Sequence, residues 1–256
     1  MDSVANGPKV YFAIHTPWFT INVTQTALTI LICSILLTVL ALIIRRGLKK
    51  RPGGFQVVVE KLVNMLYGLV SDTMGAHNVR FAPYIGTLFL SSMICTLLGM
   101  TQVLRSATAD LSVTLAWALV TTGMVWYNSI KNLGFKAWLK GFTEPIVVMT
   151  PMNIVSEIAQ PISLAFRHFG NVAGGGVLTA LIYTSLGGLT SILFGWISEA
   201  FSLIPFLQIG IPAVLSIYFD LFSGFVQALV FSLLTMVYVG AACPPPAQPE
   251  VANDSE

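Results

Sequence analysis

Between Thr26 and Ile44 the chain runs for nineteen residues without a charge. At about 1.5 Å per residue, a helix of that length nearly crosses a hydrocarbon core about 30 Å thick. Inside such a core each backbone N–H and C=O must find its partner within the segment, so the run dictates a helix. The pattern recurs at Tyr84 to Leu104 and at Leu111 to Trp126, the latter extendable to Ile130. Two more apolar stretches, 146–183 and 206–242, are too long for one perpendicular crossing and predict long, tilted helices. Residues 55–75 differ: Gln56, Glu60, Lys61, Asn64 and Asp72 interrupt the apolar positions, as in an amphipathic helix on a membrane surface. The segment Leu186 to Leu203, broken by Gly187, Gly188, Gly195 and Glu199 and closed by Pro205, reads as a separate re-entrant or interfacial helix. The expected fold is an all-α integral membrane protein with about five spanning helices and one interfacial helix. Residues 1–243 form a single membrane domain and 244–256 a disordered, Pro-rich tail.

Composition narrows the functions. Only 9% of residues are charged and 55% are hydrophobic, against about 25% charged in a soluble domain. A net charge of +2 is too small to point to nucleic acid. Cys33, Cys95 and Cys243 have neither metal-ligand nor redox spacing, so neither zinc nor a disulfide is expected. The charge cluster Arg45, Arg46, Lys49, Lys50 and Arg51 follows the first apolar run, so that run reads as a retained span and not a cleaved signal. Of the 13 Lys and Arg residues, an outside N-terminus with five spans leaves only Lys9 and Arg105 outside and Arg167 within the bilayer. The remainder fall on the inner side, together with the C-terminus, which satisfies the positive-inside rule. No internal repeat of the kind found in many secondary transporters is present.

Arg167 stands in an otherwise apolar helix. A mid-membrane arginine costs about 2.5 kcal/mol or more on insertion scales, and such residues mark functional sites by default. Asn153, Ser156, Glu157, Gln160, Ser163, Arg167, Asn171 and Gly174 recur at steps of three and four, which predicts one polar stripe facing inward toward protein or water. The plainer alternative is a structural salt bridge from Arg167 to Glu157 or Asp220. Gly170, Gly174, Gly175 and Gly176 strip side chains from the same helix, so a neighbouring helix is expected to approach closely there. His168 points about 100° from Arg167 around the helix; packing or hydrogen bonding is its expected role, with proton relay the alternative. In the later helix Asp220 and Gln227 lie seven apart, two turns along one side. Asp220 either pairs with a cation or exchanges protons; Gln227 either takes part or only bridges helices.

The segment Pro161-Ile-Ser-Leu-Ala-Phe-Arg-His-Phe-Gly-Asn171 resembles the Ser-Leu-x-x-Arg-Leu-Phe-Gly-Asn segment of subunit a of rotary F-type ATP synthases. Ala109-Asp-Leu-Ser-Val-Thr-Leu-Ala116, the stretch Asp220 to Tyr238 with Gln227 inside it, and Arg-Pro-Gly-Gly-Phe-Gln followed by Glu60 support the resemblance, which spans about residues 45–240. It implies a non-catalytic stator subunit of the Fo sector, without cofactor, in a bacterial plasma membrane. Its implied partners are the c-ring, the peripheral-stalk b subunit and the rest of the synthase, within lipid. Two long tilted helices would form a hairpin against the c-ring. Two offset half-channels would carry protons to and from c-ring carboxylates, with sodium the alternative ion, and Arg167 between them. Glu157, Gln160, Ser163, His168, Asn171, Asp220 and Gln227 would line the ion path, and Gly170, Gly174, Gly175 and Gly176 would face the ring. The chain departs from the pattern at His168, where many relatives have leucine, and at Gly176, where several carry glutamate or histidine. Glu157, Asp220 and water near the glycines would then serve instead. A stand-alone transporter built on Arg167, Glu157 and Asp220 is the competing function.

Overall fold

The computed structural model describes residues 10–15, 20–100, 104, 106–144, 146–194 and 217–245. The chain opens with a short antiparallel hairpin, β1 (Val10–His15) and β2 (Thr20–Thr24), pairing Val10 with Thr24 and His15 with Thr20, with an irregularity between Val10 and Phe12. The helices follow: α1 (Gln25–Gly47), α2 (Gly54–Met74), α3 (Ala82–Met100), α4 (Leu111–Leu133), α5 (Phe135–Gly141), α6 (Thr150–Phe194) and α7 (Ser223–Ala241). A single π turn, Ile217–Phe222, leads into α7.

Local chemistry sets the boundaries. Thr24 caps α1 by accepting from the Ala27 N–H, and Arg45 and Arg46 stand in its last turn, where the helix dipole favours cations. Gly75 and Gly134 end α2 and α4 at φ +86° and +84°, a backbone setting that side chains with a Cβ rarely adopt. Asp110 caps α4 by accepting from the Ser112 N–H, and its other oxygen accepts from Thr26 Oγ1 at 3.0 Å, tying the starts of α1 and α4 together. At the far end of α7 the free carbonyls are taken up by neighbours. Asn132 Nδ2 donates to the Ala242 oxygen, and Asn78 Nδ2 donates to that of Cys243.

α3 is the hub. Its Ile85 packs with Val70, Met74, Met236 and Val239; its Leu88 with Ala118, Leu164, Ala165 and Phe231; its Cys95 with Cys33 and Ala107. Small residues permit the close approaches. A Cβ on Gly224 would fall 2.5 Å from Thr96 Cγ2, and one on Gly99 would fall 2.9 Å from the Ser106 Cα.

Four described helical stretches are long and apolar enough to cross a membrane: Gln25–Gly47, Ala76–Gly99, Val147–Thr190 and Ser223–Ala241. α4 has 23 residues, long enough to cross, but Thr114, Thr121, Thr122 and Asn128 lower its apolar content and are buried against the bundle instead. The chain is an all-α, multi-pass membrane protein. α2 docks by one edge through Leu66, Val70 and Met74 while Phe55, Val58, Leu62 and Met65 stay exposed, so its outer side is more apolar than the sequence pattern implied.

The structure corrects one boundary. Leu186 does not begin a separate segment, because α6 runs unbroken through Gly187 and Gly188 to Phe194 as a single helix of 45 residues, about 67 Å long. A glycine costs a helix only about 1 kcal/mol relative to alanine, whereas a break inside a membrane would expose backbone groups with nothing to bond. Residues 195–203 lie outside the described residues, as do Lys9, Arg105 and all of the tail beyond Pro245.

Candidate functional site

The site is built on the middle of α6. Pro161 sits inside the helix and has no N–H, so the carbonyl of Glu157 loses its usual helical partner there. From that point the buried side chains are Pro161, Leu164, Ala165 and His168, the spacing of a single helical face. Ser163, Arg167, Gly170 and Asn171 lie on the other side and are exposed.

The expected stripe therefore divides. Glu157 and Gln160 are half-buried, and the carboxylate of Glu157 accepts a hydrogen bond from Trp126 Nε1 on α4 at 2.5 Å. Ser163 and Arg167 instead point away from the bundle. The division does not come from the pitch of the stripe, which drifts only about 20° per heptad; at Glu157 it follows from Trp126 of α4 reaching the carboxylate. Asn153, at the start of the stripe, turns back to donate to the carbonyls of Phe142 and Glu144.

Arg167 makes no ion pair or hydrogen bond among the described residues. Glu157 is not its partner, which removes one of the two structural salt bridges that the sequence left open. For the other, Asp220 lies in the π turn by its backbone, and its side chain is outside those described. That turn also interrupts the uniform α-helical winding between Asp220 and Gln227. Phe166 and Ile162 of the same helix are also exposed. A cation that always carries its charge cannot rest stably against lipid tails, so this face requires a polar or acidic cover.

One turn beyond Arg167, Asn171 Nδ2 donates to Gln227 Oε1 on α7 at 2.6 Å. Gln227 is almost fully buried, and its Nε2 has no partner among the described residues. The structure thus joins Asn171 and Gln227 at a seam where α6 and α7 meet, with Arg167 one turn earlier on α6 and facing outward. It separates them from Glu157, which lies ten residues, or about 15 Å, nearer the start of α6. Among the described residues, no atom beyond α6's own neighbouring backbone comes within 4 Å of a Cβ built on Gly170, Gly174 or Gly176, whereas Gly175 is buried.

A family profile described as "ATP synthase A chain" matches residues 26–240. The chain belongs to this family. It is 31% identical to the "ATP synthase subunit a, sodium ion specific" of Propionigenium modestum, over 92% of this chain and 85% of that one. It is 31% identical to "ATP synthase subunit a 1" of Crocosphaera subtropica, over 89% and 90%. It is 29% identical to "ATP synthase subunit a" of Bacillus subtilis, over 90% and 95%. As an ATP synthase A chain it works in a membrane complex with other synthase subunits.

His168 is wholly buried in this A chain. Its Nε2 lies 3.1 Å from Ser92 Oγ on α3, and its ring meets Trp117 of α4 and Phe231 of α7 edge-on at centroid distances of 6.1 and 5.3 Å. Sequence reasoning missed Ser92, Trp117 and Trp126 as partners of the site. Ser91-Ser92 was the one visible signal, a polar pair inside the apolar run of α3.

Proposed function

We propose that this chain is the Fo stator subunit that forms two offset half-channels and couples ion flow to rotation of a c-ring. Arg167 carries the reading. It is an outward-facing, permanently charged guanidinium without a counter-ion among the described residues, on the helix face that Gly170 and Gly174 share. A rotor carboxylate passing that face is favoured in its ionised form by the nearby cation, and so gives up its ion. The same charge repels a cation moving straight from one half-channel to the other, so leakage without rotation is suppressed.

Asn171 and Gln227, joined beside the arginine, supply neutral donors and acceptors along the seam. Glu157 serves the half-channel toward the start of α6, and Asp220 the one toward the start of α7. With the N-terminus outside, these are the inner and outer half-channels of a bacterial plasma membrane. The c-ring covers the Arg167 face, the b subunit and the rest of the synthase complete the stator, and ATP chemistry resides in other chains.

Protons are the carried ion in this proposal. Sodium is the second reading, favoured by the relative whose name is sodium ion specific. ATP-driven pumping by the reconstituted complex, with and without sodium and with a protonophore, tests both. Pumping that survives Arg167→Ala would refute the gate. Pumping that requires sodium and resists the protonophore would replace the proton.

A further inference from the structure

We infer that His168 is a positioning residue: its hydrogen bond to Ser92 fixes the rotation of α6, and with it the outward direction of Arg167. The inference rests on the gating role proposed for Arg167.

Other directional bonds on this helix lie one turn beyond the arginine, Asn171 to Gln227, and ten residues before it, Trp126 to Glu157. Below the arginine, Pro161 removes one backbone hydrogen bond. Above it, Gly170, Gly174 and Gly176 present no side chain to interlock with a neighbour. Between them the inward face consists of Leu164, Ala165 and His168. Leucine and alanine pack by non-directional contact, which tolerates a few tens of degrees of rotation. The imidazole alone offers a directional bond there, and it is held from three sides: Ser92 of α3, Trp117 of α4 and Phe231 of α7. Consecutive residues stand about 100° apart on a helix, so pinning position 168 against α3 sets position 167 facing out of the bundle. Rotation by one residue step would carry the guanidinium to a different face.

The alternative is relay, in which His168 passes protons. The bond at Nε2 has a hydroxyl as partner, and among the described residues Nδ1 finds no onward acceptor. The two roles give opposite signs. Loss of a relay lowers passive ion flux through the complex; loss of a pin leaves flux intact or raises it, while coupling fails.

The test compares His168→Leu, His168→Gln, Ser92→Ala and Arg167→Ala in the intact synthase in proteoliposomes. The measurements are ions pumped per ATP hydrolysed, passive flux under an imposed potential, and yield of assembled complex. Leucine keeps the volume, and Ser92 can turn its hydroxyl back to the Leu88 carbonyl, so the fold is preserved. His168→Leu is expected to lower pumping per ATP by about threefold or more, with passive flux equal or higher. Glutamine reaches the same hydroxyl and restores pumping, since its amide can donate or accept there. Should His168→Leu fail to assemble, Ser92→Ala decides, and the same direction of change is expected. Normal coupling in His168→Leu, a fall in its passive flux, or no rescue by glutamine would overturn the positioning role. If Arg167→Ala itself pumps normally, the gate fails first, which separates the two failures.

Discussion

The electrostatics of this protein turn on one side chain. Arg167 cannot lose its charge at physiological pH, so its action is that of a fixed cation and not of a proton carrier. Arg167→Ala is therefore expected to abolish ATP-driven pumping while the complex still assembles, read as dye quenching against subunit yield. The Asn171–Gln227 pair should behave as a unit. Removing Asn171 leaves the buried amide oxygen of Gln227 unmatched, at about 1–3 kcal/mol, whereas removing Gln227 leaves Asn171, which is exposed, to water or a partner chain. Thermal unfolding in detergent should accordingly show the double variant Asn171→Ala/Gln227→Ala costing less than the sum of the single ones. Asp220→Asn should slow passive ion flux more than Gln227→Ala does; equal or reversed effects would remove Asp220 from the ion path. The presence of a lone arginine was plain from the sequence, because no other lysine or arginine lies in that run. Its lack of a pairing with Glu157 was not, because that carboxylate is claimed by Trp126 from a helix thirty-one positions away in the chain.

At the scale of elements, two kinds of glycine look alike in sequence and differ in space. Gly99 and Gly224 lie where helix and turn press together, so a Cβ there must displace Ser106 or Thr96. Gly99→Val should destabilise the isolated subunit by about 1–3 kcal/mol, through overpacking. Gly174 and Gly176 have room for a Cβ among the described residues. Alanine at either should leave the subunit's thermal stability unchanged or raise it by up to about 1 kcal/mol, as helix propensity dictates. In the assembled synthase the change at Gly174, which lies about 20° from Arg167 around the helix, should lower the rate of ATP-driven pumping if the c-ring passes that face. Unchanged pumping would place the ring elsewhere. Helix existence was legible in the apolar runs, yet α6 outran its expected end because Gly187 and Gly188 read as breakers, while the membrane leaves a helix no cheaper alternative. The β1–β2 hairpin went unread, since attention to long apolar runs passes over strands of six and five residues.

Across the whole molecule the proposal fixes an orientation, and it can be checked in sealed vesicles. A cysteine introduced near Pro244 should react with a membrane-impermeant reagent only from the inner side; labelling from outside would reverse every half-channel assignment. The charge distribution supports this arrangement by placing the basic cluster after α1 on the same side as Lys136 and Lys140. The sequence by itself determined the membrane class, the helical character and the identity of the central cation. Each of these follows from local cost: charges are expensive in lipid, and unsatisfied backbone is more so. Only the tertiary structure decided which way the stripe on α6 divides, that α3 is the hub, that Asn171 meets Gln227, and that His168 is locked against Ser92. Those contacts join residues 56 and 76 positions apart. They depend on how helices rotate and pack against one another, and the pattern along any one helix does not encode that.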